Sequence, residues 1–258
     1  MKVVLFCGGF GMRMRGDEGT GLPKPMQLVG PRPLLWHVMR YYAHYGHQEF
    51  VLCLGYGGQE IKDYFRRYDE TASNDFVLRD GEVELLGETI DDWVITFVDT
   101  GEATPIGERL RRVREHLDEE EPFFANYADV LTDARLDVML ECFEESGAVA
   151  SMMVVPPPSS FHYVEMTDEL VVGGIRRAAD LPLRVNGGYF ILRQAVFDDL
   201  PENGDLVEDA CAALAGRGQL IAQQHDGFWK PADTFKERAE LDQLWTDGKR
   251  PWAAWETP

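Results

Sequence analysis

An apolar run, Leu5-Phe6-Cys7, leads into Gly8-Gly9-Phe10-Gly11-Met12-Arg13, and a lysine then stands between two prolines in Leu22-Pro23-Lys24-Pro25-Met26. Glycines without side chains let backbone N–H groups approach phosphate oxygens, and fixed cations beside the turn complete a cradle for a polyphosphate. Nucleotide chemistry is therefore the first reading. A dinucleotide fingerprint starting at Gly9 needs glycine at 14, where Met14 stands. Starting at Gly11, it needs glycine at 13, which is Arg13. A P-loop needs Gly-Lys-Ser/Thr to close the turn, and no such tripeptide is near. A bare glycine turn also serves as a tight βα connection, so the weight rests on the cations. Arg13 can fork onto two phosphate oxygens, and Lys24 is a compact point charge.

Two acids complete the candidate chemistry. Asp129 closes the apolar stretch Phe123-Phe124-Ala125-Asn126-Tyr127-Ala128. At the end of a strand in an open α/β sheet, an acid either holds a metal or caps the next helix. Asp233, in Trp229-Lys230-Pro231-Ala232-Asp233-Thr234, has the same two readings, because Asp before Thr-Phe-Lys-Glu is also a good N-cap. His44 and His47 lie three apart at a helix end, where capping or solvated histidines are the plainer reading than a metal pair.

Composition limits what these groups can serve. The 258 residues carry 45 acidic against 25 basic side chains, a net charge of -20. That argues against nucleic acid or an anionic membrane as partner, and any anionic substrate must be met by a local basic cluster. No apolar run reaches the length of a membrane span, and the N-terminus reads as a strand rather than a signal peptide. Cys7, Cys53, Cys142 and Cys211 are scattered, which suits buried free thiols in a reducing cytoplasm.

The elements that must position these residues alternate. Residues 2–7, 50–55, 94–98 and 123–127 read as buried strands, with helices over 33–45, 59–68, 107–117 and 136–145. Such alternation predicts an α/β fold with a doubly wound, mostly parallel sheet and ligands at the carboxyl ends of its strands. The second half is richer in strands, at 149–155, 162–166, 170–175 and 188–192, read as a mixed or antiparallel extension. A helix over 207–215, a strand over 220–224 and a helix over 234–245 follow. The polar stretch 69–92 reads as a mobile or oligomer-contacting excursion. No linker divides the chain, so a single domain is expected over 1–258, with 1–135 mainly binding nucleotide and 136–258 mainly closing over a second substrate.

The glycine turn with Pro23-Lys24-Pro25-Met26 resembles the signature of the sugar-1-phosphate nucleotidyltransferases, and the rest of the chain looks like their glucose-1-phosphate cytidylyltransferase branch. The matching stretches are Pro33-Leu34-Leu35-Trp36-His37, Val98-Asp99-Thr100-Gly101, Arg109-Leu110, Asn186-Gly187-Gly188-Tyr189-Phe190, Gly227-Phe228-Trp229-Lys230-Pro231 with Asp233-Thr234, and Pro251-Trp252 with Trp255-Glu256, in family order. The resemblance implies a Rossmann-like nucleotidyltransferase fold and transfer of CMP from CTP, or another nucleoside triphosphate, to a sugar 1-phosphate. It implies Mg²⁺ on Asp129 and Asp233, with Arg13, Lys24 and Asp129 catalytic. It places the nucleotide against Phe6, Gly8, Gly9, Gly11, Met12, Arg13, Lys24, Thr104, Arg109 and Ala128, and the sugar phosphate against Arg177, Asn186 and Gly187. A homo-oligomer is implied as well.

The chain departs from the family at Met12, at Leu22, and at Ala128 and Val130 in place of glycines. The family's Glu-Lys-Pro before the sugar turn falls on Arg176-Arg177-Ala178, and its Arg-Phe-Gly stretch is altered to Ser160-Phe161-His162-Tyr163. These changes gather on the acceptor side. They leave two alternatives open: a sugar phosphate other than glucose 1-phosphate, or a nucleotide- or sugar-binding regulator that has lost the chemistry.

Overall fold

The computed structural model describes residues 1–8, 22–87, 89–118, 122–157, 162–178 and 181–256. Strand β1 (Lys2–Phe6) sends successive side chains to opposite faces, Val3 and Leu5 into one apolar layer, Val4 and Phe6 into the other. A strand buried on both faces needs helices on both. The chain supplies them in turn. Short strands β2 (Leu28–Val29) and β3 (Arg32–Pro33) lead to α1 (Leu34–His44), β4 (Glu49–Leu54) and α2 (Gly58–Arg66). Strands β5 (Phe76–Arg79) and β6 (Glu82–Leu85) precede β7 (Val94–Asp99), α3 (Ile106–Arg112), β8 (Phe123–Tyr127), β9 (Val130–Thr132) and α4 (Leu136–Ser146). The second half runs through β10 (Ala150–Val155), β11 (His162–Met166), β12 (Val172–Arg177) and β13 (Val185–Leu192). A π-helical turn, Leu206–Cys211, continues as α5 (Ala212–Gly216), then come β14 (Leu220–Gln224), β15 (Trp229–Pro231) and α6 (Phe235–Thr246).

Among the described residues, seven strands form the central sheet in the order β14-β10-β13-β8-β1-β4-β7. Pairing is parallel except along β13, which runs against both β8 and β10. The doubly wound, mostly parallel mixed sheet expected from the alternation is thus present. From β1 the chain builds outward to β4 and β7 on one side, then returns to place β8 on the other. The carboxyl end of β1 is therefore a switch point, where open α/β sheets form their binding crevice. Helices α1, α2, α4 and α6 cover one face, with Leu35, Met39, Ile61, Phe143 and Leu241 in its core. Leu110 of α3 with Leu206, Ala210 and Leu214 fills the other.

The structure adds to or corrects the sequence reading in three places. Among the described residues, strands β11 and β12 pair only with each other, and their residues are almost all exposed, so they form a separate hairpin rather than extending the sheet. Residues 69–92 hold a second hairpin, β5–β6, turned at Asp80-Gly81 with φ of 53° and 90°. An Asp-Gly pair suits such a left-handed turn, and that signal stands in the sequence. Cys142 is exposed while the other three cysteines are buried, because α4 buries Leu136, Met139 and Phe143 and Cys142 falls off that stripe. Among the described residues, no helix is long and apolar enough to cross a membrane.

The C-terminal residues close over α1 through His37, which is fully buried. Its Nε2 lies 2.9 Å from the Val29 carbonyl, so that nitrogen carries the proton and Nδ1 is left to accept from Trp252 Nε1 at 3.4 Å. Rings of Trp36, Trp245, Trp252 and Trp255 stand 5.3 to 6.3 Å away. Burial pushes the His37 pKa down to about 4. The unfolded chain, with the ordinary value of 6.5, takes up this proton first. Stability is therefore complete above about pH 6.5 and declines as pH falls toward 4, by up to about 3 kcal/mol from this residue. Urea unfolding between pH 7.5 and 4.5 should show that decline, and His37→Gln, though less stable at pH 7.5, should show a shallower one; an equally steep decline would exclude His37 as its source.

Candidate active site

The crevice begins where β1 runs out. Cys7 N–H still donates to the Cys53 carbonyl at 3.0 Å, beyond the regular pairing with β4. At Gly8 the strand ends come so close that a Cβ would lie 2.1 Å from Arg109 Nη1 and 2.8 Å from the Gly55 backbone nitrogen. No side chain fits there, which gives that glycine a physical reason. Residues 9–21, and with them Gly9, Gly11, Met12 and Arg13, lie outside the described residues.

Arg109 sits under this junction and is buried. Its Nε donates to the Thr104 carbonyl (2.9 Å) and Nη2 to the Glu102 carbonyl (3.0 Å). Nη1 donates to the Leu54 carbonyl (3.2 Å) and to Thr100 Oγ1 (2.9 Å). Burial lowers its pKa and also keeps the neighbouring thiols protonated, with Cys53 pushed up to about 12. The guanidinium is thus spent on the loop between β7 and α3, which it ties to the end of β4. Arg112, one turn on, adds a bond to the Thr100 carbonyl at 2.9 Å. Thr104 is held by its carbonyl to Arg109. Phe6 and Ala128 turn their side chains into the two core layers, so the extra Cβ at 128 is accommodated by apolar packing.

Lys24 is delivered by a single 3₁₀ turn, Lys24–Met26, entered from Pro23 in extended conformation. Pro23 packs on Gly57, whose φ of +69° and 2.5 Å separation from the ring at a would-be Cβ both demand glycine. Asp129 follows β8. Strand β9 then pairs with β15, setting Pro231 opposite Val130, and Ala232 N–H donates to the Asp129 carbonyl at 3.0 Å. The ribbon thereby brings Asp129 and Asp233 to the same end. Asp233 does not cap α6: Thr234 does, in a capping box with Glu237. Its carboxylate instead faces Lys24.

Lys24 Nζ lies 3.0 Å from Asp129 Oδ2 and also hydrogen-bonds Asp233 Oδ1. Burial opposes its charge, but Asp129 and Asp233 together outweigh that and raise its pKa. Burial raises the Asp129 pKa, and Asp233 adds to the effect against the pull of Lys24. Two carboxylates and one ammonium leave a formal charge of −1, so the site favours further positive charge. No group of three His, Cys, Asp or Glu side chains converges among the described residues. Two carboxylates suit Mg²⁺ by their chemistry, since that ion is commonly bound by one or two protein acids plus phosphates.

Sequence reasoning passed over one wall of the crevice. A cleft of about 340 Å³ opens at the ends of β4 and β7, lined among others by Gly55, Tyr56, Gly57, Asp99 and Glu102. The run Leu54-Gly55-Tyr56-Gly57-Gly58, a strand entering glycines, was the available signal. On the other side, Asn186 and Gly187 lie in β13. Asn186 Oδ1 accepts from Gly188 N–H (2.8 Å), and the Gly187 carbonyl accepts from Trp229 Nε1 (2.8 Å). Arg177 stands on β12, across from His162, in the separate hairpin. Its neighbour Arg176 pairs with Glu165 at 3.0 Å.

Comparison with known proteins identifies the fold and the family. A UTP-bound UGPase from Acinetobacter baumannii superposes with a TM-score of 0.70, at 18% identity, covering 95% of this chain and 92% of that one. A UDP-glucose pyrophosphorylase complexed with UDP-glucose gives 0.69, at 17% identity over 96% and 98%. These likenesses establish the fold as that of the sugar nucleotidyltransferases. The glucose-1-phosphate cytidylyltransferase of Salmonella typhimurium is 33% identical over 262 residues, covering 99% of this chain and 100% of that protein, and that of Salmonella typhi matches equally. The chain belongs to the glucose-1-phosphate cytidylyltransferase family. No family model matches it.

The Arg109 geometry makes a distinction that measurement can check. Lysine cannot supply the fork that reaches the Leu54, Glu102 and Thr104 carbonyls at once. Arg109→Lys should therefore lower stability by about 1–3 kcal/mol with no nucleotide present, read by urea unfolding. Unchanged stability with weakened nucleotide binding would instead make Arg109 a direct ligand contact.

Proposed function

We propose that this chain transfers CMP from CTP to a sugar 1-phosphate, releasing pyrophosphate and forming a CDP-sugar, in a Mg²⁺-dependent reaction. The observation that carries the proposal is the convergence of Asp129 and Asp233 on one cation at the carboxyl ends of the strands. The choice of CTP and of glucose 1-phosphate as first candidates rests on the activity in the Salmonella relatives' names.

The sugar-phosphate oxygen attacks the α-phosphorus in line, a P–O bond forms, and the bond to the β-phosphate oxygen breaks with its electron pair leaving on pyrophosphate. The nucleophile is already an anion, so no protein base is needed; positioning and charge neutralisation carry the rate. Asp129 and Asp233 would hold Mg²⁺, which when bound supplies charge neutralisation at the phosphoryl oxygens. Lys24 lies within reach to neutralise a triphosphate, and Arg13, from the glycine turn, is assigned the same role. Gly8 is assigned to the phosphate side of the turn, and Arg109 and Arg112 hold the 100–104 loop at the edge of the cleft. Asn186 and Gly187, beside Trp229 and Tyr127, are assigned to the sugar side.

A different sugar phosphate is the second reading, favoured by the Arg176–Glu165 pair where the family carries Glu-Lys-Pro. Pyrophosphate release across CTP, UTP, dTTP, ATP and GTP, each with a panel of sugar 1-phosphates, tests both. Release with CTP is expected, strongest with glucose 1-phosphate under the first reading and with another sugar under the second. Nucleotide binding without release from any pair would favour a regulator. Asp129→Asn should reduce kcat by at least a hundredfold, about 2.7 kcal/mol, with the melting curve retained; unchanged turnover would remove Asp129 from the site.

The same reading includes a homo-oligomer in the cytoplasm. Four free thiols suit a reducing compartment, and exposed apolar side chains gather on the two hairpins, Leu78, Val83, Val164, Met166 and Ile175 among them. Light scattering behind size exclusion should return a multiple of 29.3 kDa; a monomer at micromolar concentration would withdraw that part.

A further inference from the structure

Resting on the metal-binding reading of Asp129 and Asp233, we propose that Lys24 is the resident cation of that site, holding the two carboxylates together before substrate binds and yielding the position only when a metal and a nucleoside triphosphate arrive together. Asp129 and Asp233 come from segments more than a hundred positions apart, and neither has another cation within salt-bridge distance among the described residues. Two anionic side chains brought this close, one of them largely desolvated, repel unless a positive charge lies between them. The Lys24 ammonium does, hydrogen-bonded to both.

A divalent ion on the same two oxygens would sit about 2.0–2.1 Å from each. The ammonium, bonded to those oxygens now, would then be in direct contact with a double positive charge, so the two cations exclude each other. Pro23 and Pro25 flank Lys24, and Pro23 is wedged on Gly57, so its backbone cannot follow. The flexible four-carbon stem must move alone. Metal by itself has to displace the ammonium from both carboxylates while bringing it no new anion. A triphosphate gives the ammonium a new partner and so lowers the cost of metal entry. Metal and nucleotide then bind with positive coupling, each strengthening the other by the same factor.

The test uses Mn²⁺ as probe, with free ion counted by electron paramagnetic resonance, so that no turnover is needed. In the native chain Mn²⁺ alone should bind weakly. Lys24→Met should tighten that nucleotide-free binding at least tenfold and shrink the gain caused by α,β-methylene-CTP; equal or weaker Mn²⁺ binding in the variant would overturn the proposal. Lys24→Gln is the second variant, with circular dichroism reporting whether each folds. Should neither fold, the native chain decides: a gain in Mn²⁺ affinity under twofold on adding the analogue, beyond the ion held by the analogue itself, overturns the idea. Asp129→Asn in the Lys24→Met background separates the two levels. If it leaves Mn²⁺ affinity unchanged, the metal reading itself fails. If it abolishes binding while Lys24→Met alone tightens nothing, only the resident-cation role is lost.

Discussion

The ammonium of Lys24 between the carboxylates of Asp129 and Asp233 is the contact that the rest of the structure is arranged to make. Its three members come from the first βα connection, the end of the central strand β8, and the turn into α6. Each arrives there because of packing that has nothing to do with charge. Pro23 rests on a left-handed glycine, β8 pairs with β1 and β13, and the β9–β15 ribbon fixes the spacing between the two acids. Like charges at such a point require a compensating cation, so the same arrangement that suits a metal also demands a positive side chain in its stead.

The sheet makes that meeting possible. Because β1 is flanked by β4 on one side and β8 on the other, the loops at their carboxyl ends diverge and leave a crevice. Its floor admits no bulk: Gly8 and Gly55 approach within backbone contact, and the Arg109 guanidinium fills the space beneath. An arginine buried in this way is costly unless its donors are satisfied, and here four bonds to loop and strand oxygens do so. The chain's strong net negative charge sharpens the point. An anionic substrate is attracted only by local cations, of which Lys24 stands in the crevice.

The far side is stitched by other means. His37 joins α1 to the C-terminal tryptophans as a neutral donor and acceptor, and Asp205 starts the π-helical turn by accepting two backbone N–H groups at 2.7 and 3.0 Å. The two exposed hairpins stand apart from both core layers. Hairpin β11–β12 carries the acceptor-side departures Arg176 and Arg177, so those two changes fall where the core constrains the chain least.

Much of this was legible in the sequence alone. The unbroken apolar run Val3-Val4-Leu5-Phe6 and its counterparts between helical patterns determine a doubly wound sheet, because a strand buried on both faces is apolar at every position. The glycines, Lys24, Asp129 and Asp233 were legible as candidates, although the turn also read as a plain βα connection and each acid as a helix cap. The tertiary structure decided what the residues do with one another. Asp233 could equally have been a helix cap until Thr234 was seen to take that role, and Arg109, which the resemblance placed against the nucleotide, has its donors on the chain's own oxygens. Hairpin β11–β12 left the sheet because its strands have no buried face. Lys24 meets partners 105 and 209 positions away, and no local propensity encodes such a contact: only the packed sheet and its ribbon, closing loops of that length, bring the three charges to one point.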